Sequence, residues 1–111
     1  MEPDVAHGAF SSLDIRVGRV VAVEDGQTRK PTYRLTIDFG PGIGTRISCG
    51  GYRNYVKDAL LWKLVVGVVN LPPKVMGPER SEVLVLGAED TGQHPIYLTP
   101  ASDVPVGARV F

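Results

Sequence analysis

The segment Tyr33-Arg34-Leu35-Thr36-Ile37-Asp38-Phe39 alternates strictly between apolar or aromatic and polar side chains. A period of two is that of a β-strand with one buried face, so its core-facing residues are predicted to be Tyr33, Leu35, Ile37 and Phe39. The glycine- and proline-rich run of residues 40–44 forms a turn, and residues 46–49 are predicted to form the next strand. This hairpin is the centre from which we interpret the rest of the chain.

The strand before this segment covers residues 15–23, which are rich in β-branched side chains and roughly alternate. Arg19, next to Gly18, interrupts the alternation, and we expect a β-bulge there that bends the strand as a small barrel requires. After the third strand, apolar residues recur at helical spacing between Asn54 and Leu61. That spacing predicts a helix of about two turns.

Residues 63–70 and 82–88 are predicted to form two more strands, and both are apolar on two faces. Their outer face must be covered by the helix, by the terminal segments or by a second copy of the chain. Short extra strands are expected at residues 96–99 and 108–111. The order of three strands, one short helix and two strands predicts an all-β fold, a five-stranded OB-fold barrel with short terminal extensions. We assign residues 1–9 to an N-terminal extension and residues 10–111 to the domain.

Composition restricts the class of protein. The 111 residues, 43% of them hydrophobic and 22% charged, suit a single domain with its own core and argue against disorder. No apolar run approaches the roughly 20 residues of a membrane span. The first residues lack the basic start of a signal peptide, and Cys49 is the single cysteine, so we expect a cytoplasmic protein without membrane insertion.

Charge is unevenly distributed along the chain although it sums to zero. Residues 16–80 carry eleven of the twelve basic side chains and five of the twelve acidic ones. If the fold gathers these cations on one face, an anionic partner becomes plausible; otherwise they are scattered over solvated surfaces.

Catalytic and metal-binding motifs are absent from the sequence. His7, His94 and Cys49 lack the spacing of metal ligands, and no base accompanies a nucleophile. The glycines of residues 40–44 lead into a strand rather than a helix, which indicates a β-turn and not a phosphate-binding loop. We therefore expect no catalysis, no cofactor and no metal.

Residues 70–82, between the two strands that are apolar on both faces, combine features of a binding loop. Prolines limit the flexibility of this loop, and it offers two cations, one soft apolar side chain and two hydrogen-bonding groups: Lys74, Arg80, Met76, Asn70 and Ser81. Such a mixture suits a phosphate-and-base surface or an extended peptide. The alternative is a stiff hairpin connection with Met76 folded onto the core.

Five segments, in order along residues 10–111, resemble the CsaA family: residues 13–20, 29–35, 37–40, 68–73 and 81–87. CsaA proteins are small homodimeric members of the tRNA-binding-domain superfamily. The resemblance implies an OB-fold, a homodimer and no catalysis. It also implies a chaperone-like role, in which the protein binds unfolded or pre-export polypeptides and is linked to the protein-export machinery.

The tRNA-binding relatives use an asparagine, a basic residue and a Ser-Glu pair, which correspond to Asn70, Lys74, Ser81 and Glu82. Many of those relatives continue with Gly-Met, whereas this chain has Val83-Leu84, as the CsaA family does. A structure-specific tRNA-binding protein that uses the same OB-fold surface is therefore the alternative function.

The predicted peptide- or RNA-binding residues lie in the 70–82 loop and in the first hairpin loop, which joins the first strand to the second. They are Asn70, Lys74, Met76, Arg80, Ser81, Glu82, Arg29 and Lys30. Others besides Met76 also have alternatives: Asn70 caps its own strand end, Glu82 orients Lys74 or Arg80, and Arg29 and Lys30 are simply solvated. Trp62 is expected to pack or to join a dimer contact. Tyr52 and Tyr55 are expected either to line the groove or to pack in the core.

Overall fold

A bent five-stranded antiparallel sheet, in the order β3-β2-β1-β4-β7, curls into a nearly closed barrel in the computed structural model, which describes residues 1–111. Two small hairpins, β5–β6 and β8–β9, extend from it. The elements in chain order are α1 (His7–Ser11), β1 (Ile15–Asp25), β2 (Tyr33–Asp38), β3 (Thr45–Gly50), α2 (Lys57–Leu60), β4 (Leu64–Val68), β5 (Lys74–Met76), β6 (Glu79–Ser81), β7 (Leu84–Val85), β8 (Gly87–Glu89) and β9 (Pro95–Tyr97). The predicted OB-fold barrel is confirmed.

Strand β1 is the common partner of β2 and β4, and its bulge lies where it passes from one partner to the other. The amide of Val20 donates to the carbonyl of Lys63, and the carbonyl of Val20 accepts from the amide of Trp62. The register with β2 then shifts between Val20 and Ala22, so Val21 is the extra residue. The expected bulge is present but lies two residues after Arg19, because the change of partner rather than the charged side chain determines its place.

The inner core confirms the alternation of the central strand. Tyr33, Leu35, Ile37 and Phe39 are all at most 7% exposed and point into the barrel. Gly18 faces them, and a Cβ at this position would lie 2.6 Å from Ile37 and 2.7 Å from Phe39. A glycine is therefore needed in β1 to make room for the aromatic side chain that fills the barrel.

A second apolar cluster lies on the outer surface of β1 and β4, and the chain covers it with its own C-terminal segment. Val104, Val106, Ala108 and Val110 pack against this cluster, whose members are Ile15, Val17, Leu64, Val66 and Val68. The segment is held by main-chain hydrogen bonds, including Val17 to Ala108 at 3.0 Å and Val110 to Ile15 at 2.8 Å. The sequence left three possible covers for the outer face of β4: the helix, a terminal segment or a second copy of the chain. In the structure the C-terminal segment covers it.

The strand predicted at residues 82–88 is divided in the structure. β7 stays in the barrel, where Val83 and Val85 are buried, whereas β8 leaves it to pair with β9. The predicted strand at residues 108–111 is reduced to a single bridge between Arg109 and Arg16. Val83 and Val85 pack in the inner core and Leu86 on the outer cluster, whereas Ala108 and Val110 pack on the outer cluster alone.

The helices differ from the expected pattern in length and number. α2 is a single turn whose only buried residue is Leu60, and it is shorter than predicted because Tyr55 and Val56 precede it. α1 was not predicted, since its five residues show no apolar periodicity, and it crosses the expected boundary between residues 9 and 10. Neither helix has the length and apolarity that crossing a membrane requires.

Candidate functional site

The two end strands of the sheet, β3 and β7, face each other across a seam that no strand pairing closes. A groove of about 500 Å³ lies along this seam. It is lined by residues from the end of β3, the β5–β6 hairpin and β7, namely Ser48, Cys49, Gly50, Gly51, Tyr52, Leu71, Pro72, Lys74, Met76, Ser81, Glu82, Val83, Leu84, Val85 and Pro95. Much of this surface is apolar.

Side chains replace main-chain pairing along the seam. The amide of Ile47 donates to Glu82 Oε1 at 3.0 Å, and the amide of Cys49 donates to Ser81 Oγ at 3.1 Å. On the other side, the hydroxyl of Tyr52 donates to the carbonyl of Val85 at 3.2 Å. One main-chain bond, from the amide of Glu82 to the carbonyl of Ile47 at 2.7 Å, completes the set. These contacts give partners to the amides of Ile47 and Cys49 and to the carbonyl of Ile47, and they leave the groove open beside them.

Glu82 and Asn70 thus have structural partners that the sequence did not reveal. The carboxylate of Glu82 is directed to β3 and forms no ion pair with Lys74 or Arg80. Asn70 Oδ1 accepts from the amide of Asp14 at 2.7 Å, and its Nδ2 donates to the carbonyl of Ser12 at 2.9 Å. Asn70 fastens the segment before β1 rather than capping its own strand.

Residues 70–82 contain the β5–β6 hairpin, whose register assigns each side chain to a face. Lys74 pairs with Ser81, Val75 with Arg80, and Met76 with Glu79. Because opposite residues share a face, Lys74, Met76 and Ser81 face the groove together. Arg80 lies with Val75 on the other face, and both are exposed. Lys74 is also exposed and has no acidic partner.

Glu79 joins the hairpin to the first hairpin loop, and it was not among the predicted site residues. Its Oε2 accepts from the amide of Gln27 and from Nε of Arg34, each at 3.1 Å, and the residue is 8% exposed. The Gln27 amide, assisted by the Arg34 guanidinium, holds the pKa of Glu79 below its usual value. The sequence offered no signal for these contacts, because Gln27 and Arg34 lie far from Glu79 along the chain.

A second cavity, also about 500 Å³, lies between the first hairpin loop and the tip of the β5–β6 hairpin. Its lining includes Arg29, Lys30 and Met76. Met76 is shared with the seam groove, so it lies where the two hairpins meet. Residues far apart in sequence, Arg29 and Lys30 on one side and Lys74 on the other, are thereby brought to one end of the barrel.

The aromatic residues divide between packing and exposure. Tyr52 is buried, and Tyr55 packs between the rings of Tyr52 and Tyr97, with ring centroids 6.4 Å and 5.2 Å apart. Trp62 is 59% exposed, so the chain itself does not provide the packing expected for it. Cys49 is buried, as expected of a core residue, and burial raises the pKa of its thiol.

Metal-ligating side chains are not clustered. No three His, Cys, Asp or Glu side chains lie close enough together to hold a metal ion.

A protein-family model described as "Putative tRNA binding domain" matches residues 15–109. Among curated proteins, the methionine–tRNA ligase of Pyrococcus furiosus is 35% identical over 107 residues, which are 96% of this chain and 14% of that enzyme. The methionine–tRNA ligase of Porphyromonas gingivalis is 36% identical over 107 residues, 96% of this chain and 16% of the enzyme. The chain thus spans about one-seventh of the length of these relatives.

Solved structures of similar length match over nearly the whole chain. The CsaA chaperone protein from Picrophilus torridus is 41% identical with a TM-score of 0.91, over 97% of this chain and 100% of that one. The chaperone CsaA from Bacillus anthracis is 32% identical with a TM-score of 0.90, over 98% and 100%. A MetRS-related protein from Pyrococcus horikoshii is 27% identical with a TM-score of 0.86, over 99% and 100%. The resemblance inferred from the sequence is confirmed.

The seam contact of Glu82 makes a direct prediction about stability. Glu82→Ala leaves the amide of Ile47 without an acceptor, which should lower the free energy of unfolding by about 1–3 kcal/mol. Glu82→Gln keeps an oxygen acceptor at the same position, so its loss in free energy of unfolding should be less than half that of Glu82→Ala. Urea denaturation of the two variants and the wild type measures the difference, and equal losses for Ala and Gln would remove the hydrogen bond as the cause.

Proposed function

Because the chain belongs to the tRNA-binding-domain family, we propose that it is a non-catalytic, CsaA-like binding protein that holds unfolded or pre-export polypeptide in the seam groove. The observation that carries this proposal is the groove itself. Apolar side chains such as Leu71, Met76 and Leu84 line it beside open main chain, and Lys74 supplies one free charge. An unfolded chain offers complementary groups, apolar side chains and unpaired amides.

Sequence identity supports this choice of function. The chain is 41% identical to the CsaA chaperone from Picrophilus torridus and 35% identical to the matching part of the methionine–tRNA ligase from Pyrococcus furiosus. We place the protein in the cytoplasm, where it would meet polypeptides before they reach the protein-export machinery.

We further propose that two copies form a homodimer through the outer face of β7 and β9. Leu84, Leu86 and Leu98 share this face, because Leu98 lies opposite Leu86 in the β8–β9 register. Leu84 is 51% and Leu98 43% exposed in the single chain. A second copy seated on this face would remove both side chains from water, and it would bring a neighbour to the rim of the groove, which Leu84 also lines.

The dimer is tested by sedimentation at micromolar concentration. The wild type should sediment as a dimer, and Leu98→Asp should shift the equilibrium to monomer because it places a charge in the apolar contact. Val75→Asp, which introduces the same charge at an exposed apolar residue of the β5–β6 hairpin outside this face, is the control and should remain dimeric. A monomeric wild type would contradict the proposal.

A second candidate function, binding of tRNA, is favoured by the cations around the two hairpins. Arg29, Lys30, Lys74 and Arg80 have no acidic partners. Of the two carboxylates nearby, Glu79 is paired with Arg34, and only Glu82 lacks a cationic partner. This end of the barrel therefore presents an excess of positive charge to a phosphate backbone.

Salt distinguishes the two ligands in titrations of labelled tRNA and labelled unfolded polypeptide. If tRNA contacts about three phosphates here, a fourfold rise in salt should weaken its binding roughly twentyfold, whereas binding of apolar side chains should change much less. Lys74→Glu should weaken tRNA binding about tenfold or more, and Lys63→Glu, the same charge change outside both cavities, should have a smaller effect. An unchanged tRNA titration for Lys74→Glu would remove Lys74 from the site.

A further inference from the structure

Gly51 carries main-chain groups that the fold leaves unused. β3 pairs with β2 on one edge, and Gly50 lies opposite Tyr33 in that register. Gly51 directly follows the end of β3 and lines the groove along the seam, beside the edge on which the amides of Ile47 and Cys49 lie. The amides of Ile47 and Cys49 are satisfied by Glu82 and Ser81, but neither the amide nor the carbonyl of Gly51 has a partner within the chain.

The space beside Gly51 is open to another backbone. A Cβ at Gly51 would meet no atom within 4 Å, and a Cβ at Gly50 would approach only the Tyr52 ring, at 3.6 Å. Both glycines line the groove of about 500 Å³. A strand that pairs with Gly51 would lie about 4.8 Å from it, and neither glycine adds a side chain to the groove wall at this point.

The charge of the groove indicates the side chains that it accepts. Glu82 is occupied by the amide of Ile47, which leaves Lys74 as the charged group at the rim without a partner. Next to it lie the apolar side chains of Leu71, Met76 and Leu84. The complement of this surface is an apolar side chain with an acidic one near it.

We propose that the seam groove binds an extended polypeptide by strand addition. The main chain of the bound segment pairs with the amide and carbonyl of Gly51, an apolar side chain enters the groove, and an acidic side chain meets Lys74. This inference rests on the proposed polypeptide-binding function and adds how the segment is recognised. Main-chain pairing tolerates many sequences, which suits a protein that binds unfolded chains, while Lys74 gives a preference for acidic segments.

Fluorescence anisotropy with the full chain tests the pairing. The probe is a short labelled peptide with one leucine flanked by glutamates, together with copies that carry one N-methyl group at each successive position. N-methylation removes an amide donor and preserves the side chain. Binding should weaken about tenfold at the amide that pairs with Gly51 and change little at its two neighbours, whose amides face away.

A charge exchange tests the preference for acidic segments. Replacing the glutamates of the peptide by lysines should weaken binding about two- to fivefold, and Lys74→Glu should reverse the order of the two peptides. Lys63→Glu is the matched control and should leave the order unchanged.

The outcomes separate this inference from the proposed function. If the parent peptide binds but N-methylation has the same effect at every position, strand addition is wrong while polypeptide binding stands. If the order of the acidic and basic peptides is unaffected by Lys74→Glu, the role of Lys74 is wrong. If labelled tRNA binds and neither the peptide nor an unfolded polypeptide does, the polypeptide-binding function itself fails.

Discussion

The open seam between β3 and β7 is the constraint on which the rest of this structure depends. A barrel closed by main-chain pairing has no free edge and no groove at this point. Here Ser81, Glu82 and Tyr52 bridge the gap with their side chains, so the strands are held at a distance that leaves room between them. The groove is therefore a consequence of how the barrel is closed.

This closure changes the interpretation of the residues that the family resemblance singled out. Asn70, Ser81 and Glu82 each use their polar atoms in hydrogen bonds within the chain. The side chains of Ser81 and Glu82 therefore close the seam and that of Asn70 holds the segment before β1, whereas Lys74 has no acidic partner. The buried carboxylate of Glu79 adds a second constraint, because it ties the hairpin that carries Lys74 to the amide of Gln27 in the first loop.

Sequence patterns predicted the barrel well and the site only in part. β2 was predictable because its strict alternation corresponds to one buried face. The division of residues 82–88 was not, because a segment that packs first on the inner core and then on the outer cluster is apolar throughout. Likewise, the sequence grouped Arg80 with Lys74, but the register of a three-residue strand directs Arg80 to the opposite face. Glu79 showed no signal of its own, since its partners come from distant segments.

Amide hydrogen exchange of the wild type tests the side-chain closure of the seam most directly. The amides of Ile47 and Cys49, which donate to Glu82 and Ser81, should exchange slowly, like the amides that pair β3 with β2. The amide of Gly51, which follows the end of β3 and has no acceptor within the chain, should exchange at close to the rate of an unprotected amide. Rapid exchange at Ile47 and Cys49, or protection of Gly51 equal to theirs, would contradict a barrel that is closed by side chains and open at Gly51.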